Sequence, residues 1–249
     1  MRLNTIEAGA GTPLVLLHGL FGAAGNWGAI QKALASTNRV VAMDLRNHGG
    51  SPHGAAMDYA TMAADVAETM TGPATVIGHS MGGKVAMMLA LARPDRVSRL
   101  VVADIAPVRY PPALRGYVAA MRALDLRHGL TRKDADAALA GAVREPGIRA
   151  FLLQNLLFGR DPPAWRIGLD EIAAAMPEIE DFPASPGATY RGPTLFVTGE
   201  RSDYVREEHR AQIATLFPDH RFVTVPNAGH WVHAEAPQAF VETLRTFLS

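Results

Sequence analysis

A serine lies between two glycines in VIGHSMGG, residues 76–83, with a short apolar run before it and the helix-like KVAMMLALA after it. Gly78-His79-Ser80-Met81-Gly82 fits G-x-S-x-G in the strand-to-helix setting that the chemistry needs. A sharp turn there lifts the hydroxyl to the open edge of a sheet. The following helix aims its N-terminal N–H groups and the positive end of its dipole at the same place. That setting suits a nucleophile and the oxyanion it creates. A capping serine in a glycine-rich turn would read the same way, so the motif needs partners. Serine at its free pKa requires a base. Of nine histidines, His230 in PNAGHWVHAE follows a late strand-like run and precedes the last helix-like one. It trails Ser80 in chain order, as the base does in hydrolases built on such a sheet. His233 belongs to the approach to that helix and reads as structural. His79 should point away from Ser80, and His128, His209 and His220 read as surface residues.

The loop His18-Gly19-Leu20-Phe21-Gly22 closes the first apolar run. A backbone N–H just after His-Gly suits one arm of an oxyanion hole, with Met81 N–H as the other. Leu20 is the expected donor and Phe21 the alternative.

These groups need a scaffold, and the rest of the chain supplies one. Runs at 13–19, 39–45, 74–80, 97–107, 193–200 and 221–230 are continuously apolar rather than alternating, as in parallel strands buried on both faces. Helices fit at 27–36, 59–71, 81–92, 204–217 and 237–248, and Pro94 and Pro218 stop two of them. Residues 107–189 differ: proline recurs, helical patterns lie between the prolines, and no buried-strand run occurs. We expect an all-helical lid inserted between two parts of one core, residues 1–106 and 190–249. In the lid, the apolar stripe around Phe151, Leu153 and Leu157 could line an acyl pocket, with Phe21 and Trp231 as further substrate-contact candidates.

Composition narrows the function. Lys+Arg and Asp+Glu balance at 24 each, which gives no general electrostatic case for nucleic acid. There is no cysteine, which excludes disulfides and thiolate chemistry. The N-terminus lacks the pattern of a secretory leader, and no apolar run is long enough for a membrane span. We expect a cytoplasmic monomer or small homo-oligomer. His230-x-x-His233 alone is a weak metal pair, and no H-E-x-x-H or G-x-G-x-x-G occurs, so no metal or dinucleotide is expected.

LLHGLFG, DLRNHGGSPH, MDYATMAADV, IGHSMGGKVAM, VVADIAP and AGHWVHAE together resemble the α/β-hydrolase-fold serine esterases and thioesterases, in the branch of small bacterial YbfF-type enzymes. The resemblance runs nearly end to end and is weakest in the insertion. It implies a mostly parallel sheet flanked by helices, a Ser–His–Asp triad, no cofactor, and a small acyl ester or thioester as substrate. Arg46-Asn47-His48-Gly49 belongs to it and reads as a loop organiser. Many relatives carry the acid in a G-x-x-D pattern after the lid. Here Gly199-Glu200-Arg201-Ser202-Asp203 has serine at that position and aspartate one residue late. The other candidate is Asp104 in VVADIAP, at a strand end, where an aspartate is costly to bury without a partner such as an imidazole. The branch takes its acid from that strand, so Asp104 is favoured and Asp203 is the alternative. A C–C bond hydrolase with the same triad, or a non-catalytic ligand receptor on this fold, is the competing reading.

Overall fold

The computed structural model describes residues 1–183 and 186–249; residues 184 and 185, inside the expected insertion, lie outside it. The first half lays down β1 (Thr5–Ala8), β2 (Thr12–Leu17), α1 (Gly28–Leu34), β3 (Asn38–Met43), α2 (Tyr59–Thr69), β4 (Ala74–His79), α3 (Met81–Ala92) and β5 (Val97–Ala103). Then come α4 (Arg115–Arg122), α5 (Arg132–Leu139), α6 (Pro146–Leu152), β6 (Leu156–Leu157), β7 (Ala164–Trp165), α7 (Leu169–Ala174) and α8 (Met176–Glu180). The chain returns through β8 (Thr194–Gly199), α9 (Arg210–Leu216), β9 (His220–Val225), α10 (Val232–Glu235) and α11 (Pro237–Leu248).

Seven strands form one sheet in the order β1-β3-β2-β4-β5-β8-β9. Every neighbouring pair is parallel except β1 with β3. The continuous apolar runs are explained by burial on both faces. Val15, Leu17, Val76, Leu100 and Val102 pack towards α2 and α3, whereas Leu14, Leu16, Ile77, Val101 and Val197 pack towards α1 and α11. Successive side chains on a strand point to opposite faces, so both sets must be apolar. β1 was not expected: Thr5–Ala8 is short, partly exposed and at the edge, so burial imposes no pattern on it. Among the described residues no helix is long and apolar enough to cross a membrane.

Two expected elements change. The helix expected to open at residue 204 begins as a 3-10 turn at Glu207–His209 before α9. The insertion is not all-helical: α6 ends at Leu152, Leu153–Asn155 tightens into a 3-10 turn, and Leu156–Leu157 pairs antiparallel with Ala164–Trp165. Asn155 causes the break. Its side-chain amide turns back to the Leu152 carbonyl and out to the Phe21 carbonyl, and asparagine's local bonds compete with helix continuation.

The insertion has a small core of its own, made by Leu124, Leu130, Ala135, Leu139, Leu153 and Leu156. Its far end is fastened to the sheet side by α2 and α3. Tyr59 Oη donates to Ile179 O at 2.6 Å, and buried Lys84 Nζ donates to Glu180 O at 3.1 Å and Asp181 O at 2.8 Å. These carbonyls end α8, where the last C=O groups of a helix have no partner within it.

Candidate active site

The C-terminal ends of β2, β4, β5 and β8, together with the loop after β9, converge at one edge of the sheet. At the end of β4, Ser80 adopts φ 53° and ψ −120°, which a non-glycine residue holds only when its surroundings enforce it. Its N–H donates to Ala103 O at 3.0 Å, which ties the turn to β5. A Cβ on Gly78 would strike the Gly82 backbone, and one on Gly82 would strike the Leu17 and His18 carbonyls, so the turn can pack only with glycine at both places.

Asp104 ends β5 with φ 51°, and its N–H is bound to Val197 O at 2.8 Å. Its carboxylate is fully buried, and three donors meet it. His230 Nδ1 lies 2.8 Å from Oδ2, Gly199 N–H donates to Oδ1 at 3.0 Å, and the Ser202 hydroxyl donates to Oδ2. A buried carboxylate needs such compensation. Because the carboxylate can only accept, Nδ1 carries the imidazole hydrogen. Nε2 is therefore free to accept, and it lies 3.1 Å from Ser80 Oγ. Asp203 is exposed, and among the described residues only its main-chain carbonyl is engaged, by Arg206 Nε at 3.1 Å. The one-residue offset sends its side chain to solvent. Ser202, at the usual acid position, instead supports the carboxylate of Asp104.

Leu20 N–H and Met81 N–H have no acceptor among the described residues. Phe21 N–H, the alternative donor, is taken: it donates to His48 Nε2 at 3.1 Å. His48 is fully buried, and desolvation pushes it down to about 3, so it stays neutral and can accept. Its Nδ1–H donates to Arg46 O at 2.9 Å. Asp44 accepts from Ala24 N at 2.6 Å and Gly50 N at 2.8 Å, and Arg46 pairs with Asp65 at 2.5 Å.

The other histidines fall into two groups. His79 points away from the hydroxyl, with Nε2 bound to His230 O at 2.8 Å. His233 is buried against Trp27, with ring centroids 4.4 Å apart, and burial lowers it to about 4. His128 is 78% exposed, but His209 keeps only 12% exposure and packs edge-on to Tyr110. His209 and His220 are therefore not surface residues as expected; His220 is half-buried and bound to Phe217 O at 2.8 Å.

Above Ser80 opens a cavity of about 490 Å³. Phe21, Phe151 and Trp231 line it, and Phe151 meets Trp231 edge-on at 6.4 Å. Leu153 and Leu157 do not. Leu153 is buried in the core of the insertion, and Leu157 sits in β6, beyond the end of the helix. On α6 the cavity side is set by Ile148, Phe151 and Leu152, at i, i+3 and i+4. Leu153 lies two residues past Phe151 and so faces the other way. Leu114, Tyr117 and Tyr204 also line the cavity and were not foreseen. The Tyr204 ring stacks on His230 at 3.8 Å and 16°. It was masked by the helix expected to begin there.

A family model described as the alpha/beta hydrolase family matches residues 14–243. The chain is 42% identical to the mouse sn-1-specific diacylglycerol lipase ABHD11, covering 100% of this chain and 85% of that protein. It is 36% identical to the esterase YbfF of Escherichia coli, covering 96% and 93%. A solved structure, a marine microorganism esterase, superposes with a TM-score of 0.95 at 36% identity and 99% coverage of each chain. A seven-stranded sheet with a strained serine turn at its edge, matched end to end by esterases, makes the chain a carboxylesterase-type hydrolase that belongs to the alpha/beta hydrolase family.

Proposed function

We propose that the protein cleaves acyl esters or acyl thioesters through a Ser80–His230–Asp104 triad. The observation that carries this reading is the unbroken chain from the Asp104 carboxylate through His230 to the Ser80 hydroxyl, beside two backbone donors that no other described residue uses. Ser80 Oγ attacks the acyl carbonyl while His230 Nε2 takes its proton. The carbonyl oxygen becomes an oxyanion facing Leu20 N–H and Met81 N–H, placed where charge develops. Collapse of the tetrahedral intermediate breaks the bond to the leaving group, which His230 protonates. Water, deprotonated by the same nitrogen, then releases the acid and restores Ser80. Asp104 holds the tautomer and balances the imidazolium, and Ser202 and Gly199 hold Asp104. No step needs a cofactor.

Residues 107–189 act as a lid over the core of 1–106 and 190–249, and the lid shapes the acyl site. Among the described residues lining the cavity there is no Lys, Arg, Asp or Glu, which favours an uncharged acyl group. The test is turnover of a simple aryl ester by the wild type and by Ser80→Ala. Loss of turnover with an unchanged melting temperature is the expected result. Turnover at the wild-type rate ends the nucleophile assignment.

A further inference from the structure

The insertion reaches past the cavity into the loop that carries the oxyanion donor. Asn155, 1% exposed, donates from Nδ2 to Phe21 O at 2.7 Å. Its own main chain is fixed, because Arg166 N–H donates to Asn155 O at 2.8 Å. The peptide that owns the Phe21 carbonyl also owns the Gly22 N–H, and that N–H donates to Gly19 O at 3.0 Å. The peptide that owns the Gly19 carbonyl owns the Leu20 N–H. A trans peptide is planar, with C=O and N–H pointing in opposite directions. Holding the oxygen of each unit therefore aims its hydrogen. One line of donors runs from the Asn155 amide through Phe21–Gly22 and Gly19–Leu20, and ends on the N–H that faces the reacting carbonyl.

Two neutral histidines brace this line from the core. His18 Nδ1–H donates to Gly19 O at 2.8 Å, and its Nε2 accepts from Leu45 N–H at 2.9 Å. His48 Nε2 holds the peptide between the two links by accepting Phe21 N–H. Phe21 itself sits at φ 62°, a left-handed conformation that a phenylalanine keeps only when it is held there.

We propose that Asn155 is a positioning residue for ester hydrolysis: from the insertion it fixes, and through linked hydrogen bonds polarises, the Leu20 N–H that stabilises the oxyanion. The proposal rests on the reading of Leu20 as a donor. Linked bonds of this kind strengthen one another, and a single oxyanion donor governs about 10²–10³ in kcat when removed. Loosening the donor should cost less than deleting it. The insertion then contributes to bond cleavage as well as to substrate choice.

The experiment compares wild type, Asn155→Ala and the near-isosteric Asn155→Asp, whose carboxylate cannot donate. It reads kcat and KM on an aryl ester and the inhibition constant of an aryl trifluoromethyl ketone, which forms an oxyanion on the serine. For both variants we expect kcat to fall about 10- to 100-fold with KM within about threefold. The ketone should weaken by the same factor as kcat/KM. Folding is read from the melting temperature, and Asn155→Asp keeps the test alive if the alanine variant does not fold. A changed KM with wild-type kcat would make Asn155 a wall of the cavity and overturn the proposal. A fall in kcat with undiminished ketone affinity would also overturn it. Tight ketone binding by wild type, lost in Ser80→Ala, separates a failure of this inference from a failure of the serine reading.

Discussion

The sheet edge and the insertion solve the same problem in opposite ways. At the edge, Ser80 and Asp104 stand at the ends of β4 and β5, fixed by ladder bonds to Ala103 and Val197 and by glycines that admit close packing. The insertion has short helices, a short hairpin and a small core of its own, and side chains such as Val118, Met121, Ile167 and Ile172 join the core that the sheet shares with α2 and α3. Groups that must keep ångström-level relations are carried on strands buried on both faces. Much of the cavity wall, with Leu114, Tyr117, Ile148, Phe151 and Leu152, is carried on short elements outside the sheet. Asn155 crosses this division.

Replacing the proposed acid gives the largest contrast. Asp104→Asn should lower kcat by about 10⁴, the loss that accompanies a misdirected imidazole tautomer in the serine-protease example. Asp203→Asn should leave kcat near wild type, because its carboxylate faces solvent. Steady-state kinetics on the two folded variants reads this, and the reverse ranking would move the acid to the loop after β8.

A smaller contrast lies between two neighbours at the end of α6, Leu152 in the helix and Leu153 in the 3-10 turn that follows. Leu153→Ala should destabilise the protein by about 2–5 kcal/mol, as buried leucine truncations do, and leave acyl-chain preference unchanged. Leu152→Ala, at the cavity, should shift that preference towards longer chains. Denaturant melts and a chain-length series measure both. An altered preference in the Leu153 variant alone would place the specificity surface on the 3-10 turn after α6.

The gentlest contrast is the response to acid. The core buries His18, His48, His79 and His233, all lowered chiefly by desolvation, with His48 at about 3 and His233 at about 4. The insertion's one histidine, His128, is exposed. Unfolded histidine takes up its proton near 6.5. Below that pH the unfolded chain binds more protons than the folded one, so stability present above about 6.5 is lost as pH falls towards 3. The melting temperature should therefore drop steadily between about pH 6.5 and 4, and His233→Phe should flatten part of that slope. A flat profile would mean that these rings are protonated in the folded state.

What was legible in the sequence follows the same division. Burial on both faces imposes continuous apolar runs, so six strands could be read, and the serine turn announced itself because only glycine fits beside it. β1 escaped because an exposed edge strand is under no such constraint. Leu153 misled because the apolar run 151–158 reads as one helix, whereas it breaks after Leu152 and turns Leu153 into a local core. The break at Asn155 rests on a bond to Phe21, 134 residues away, which no local pattern records. Ser202 and Tyr204 sit in an irregular loop whose direction is set by contacts with Asp104, Tyr110 and His230. Asp104 was favoured over Asp203 by resemblance, and the loop direction that leaves Asp203 exposed while His230 meets Asp104 was not readable locally.

The proposed mechanism depends on acyl-enzyme formation at one serine hydroxyl, activated by His230. It is tested most directly by treating the protein with a fluorophosphonate and mapping the adduct by peptide mass spectrometry while turnover is followed. One adduct is expected, on the peptide containing Ser80, with turnover lost in proportion to labelling, and no adduct in His230→Ala on the same time scale. An adduct on another residue such as Ser202, or full turnover after Ser80 is modified, would contradict it.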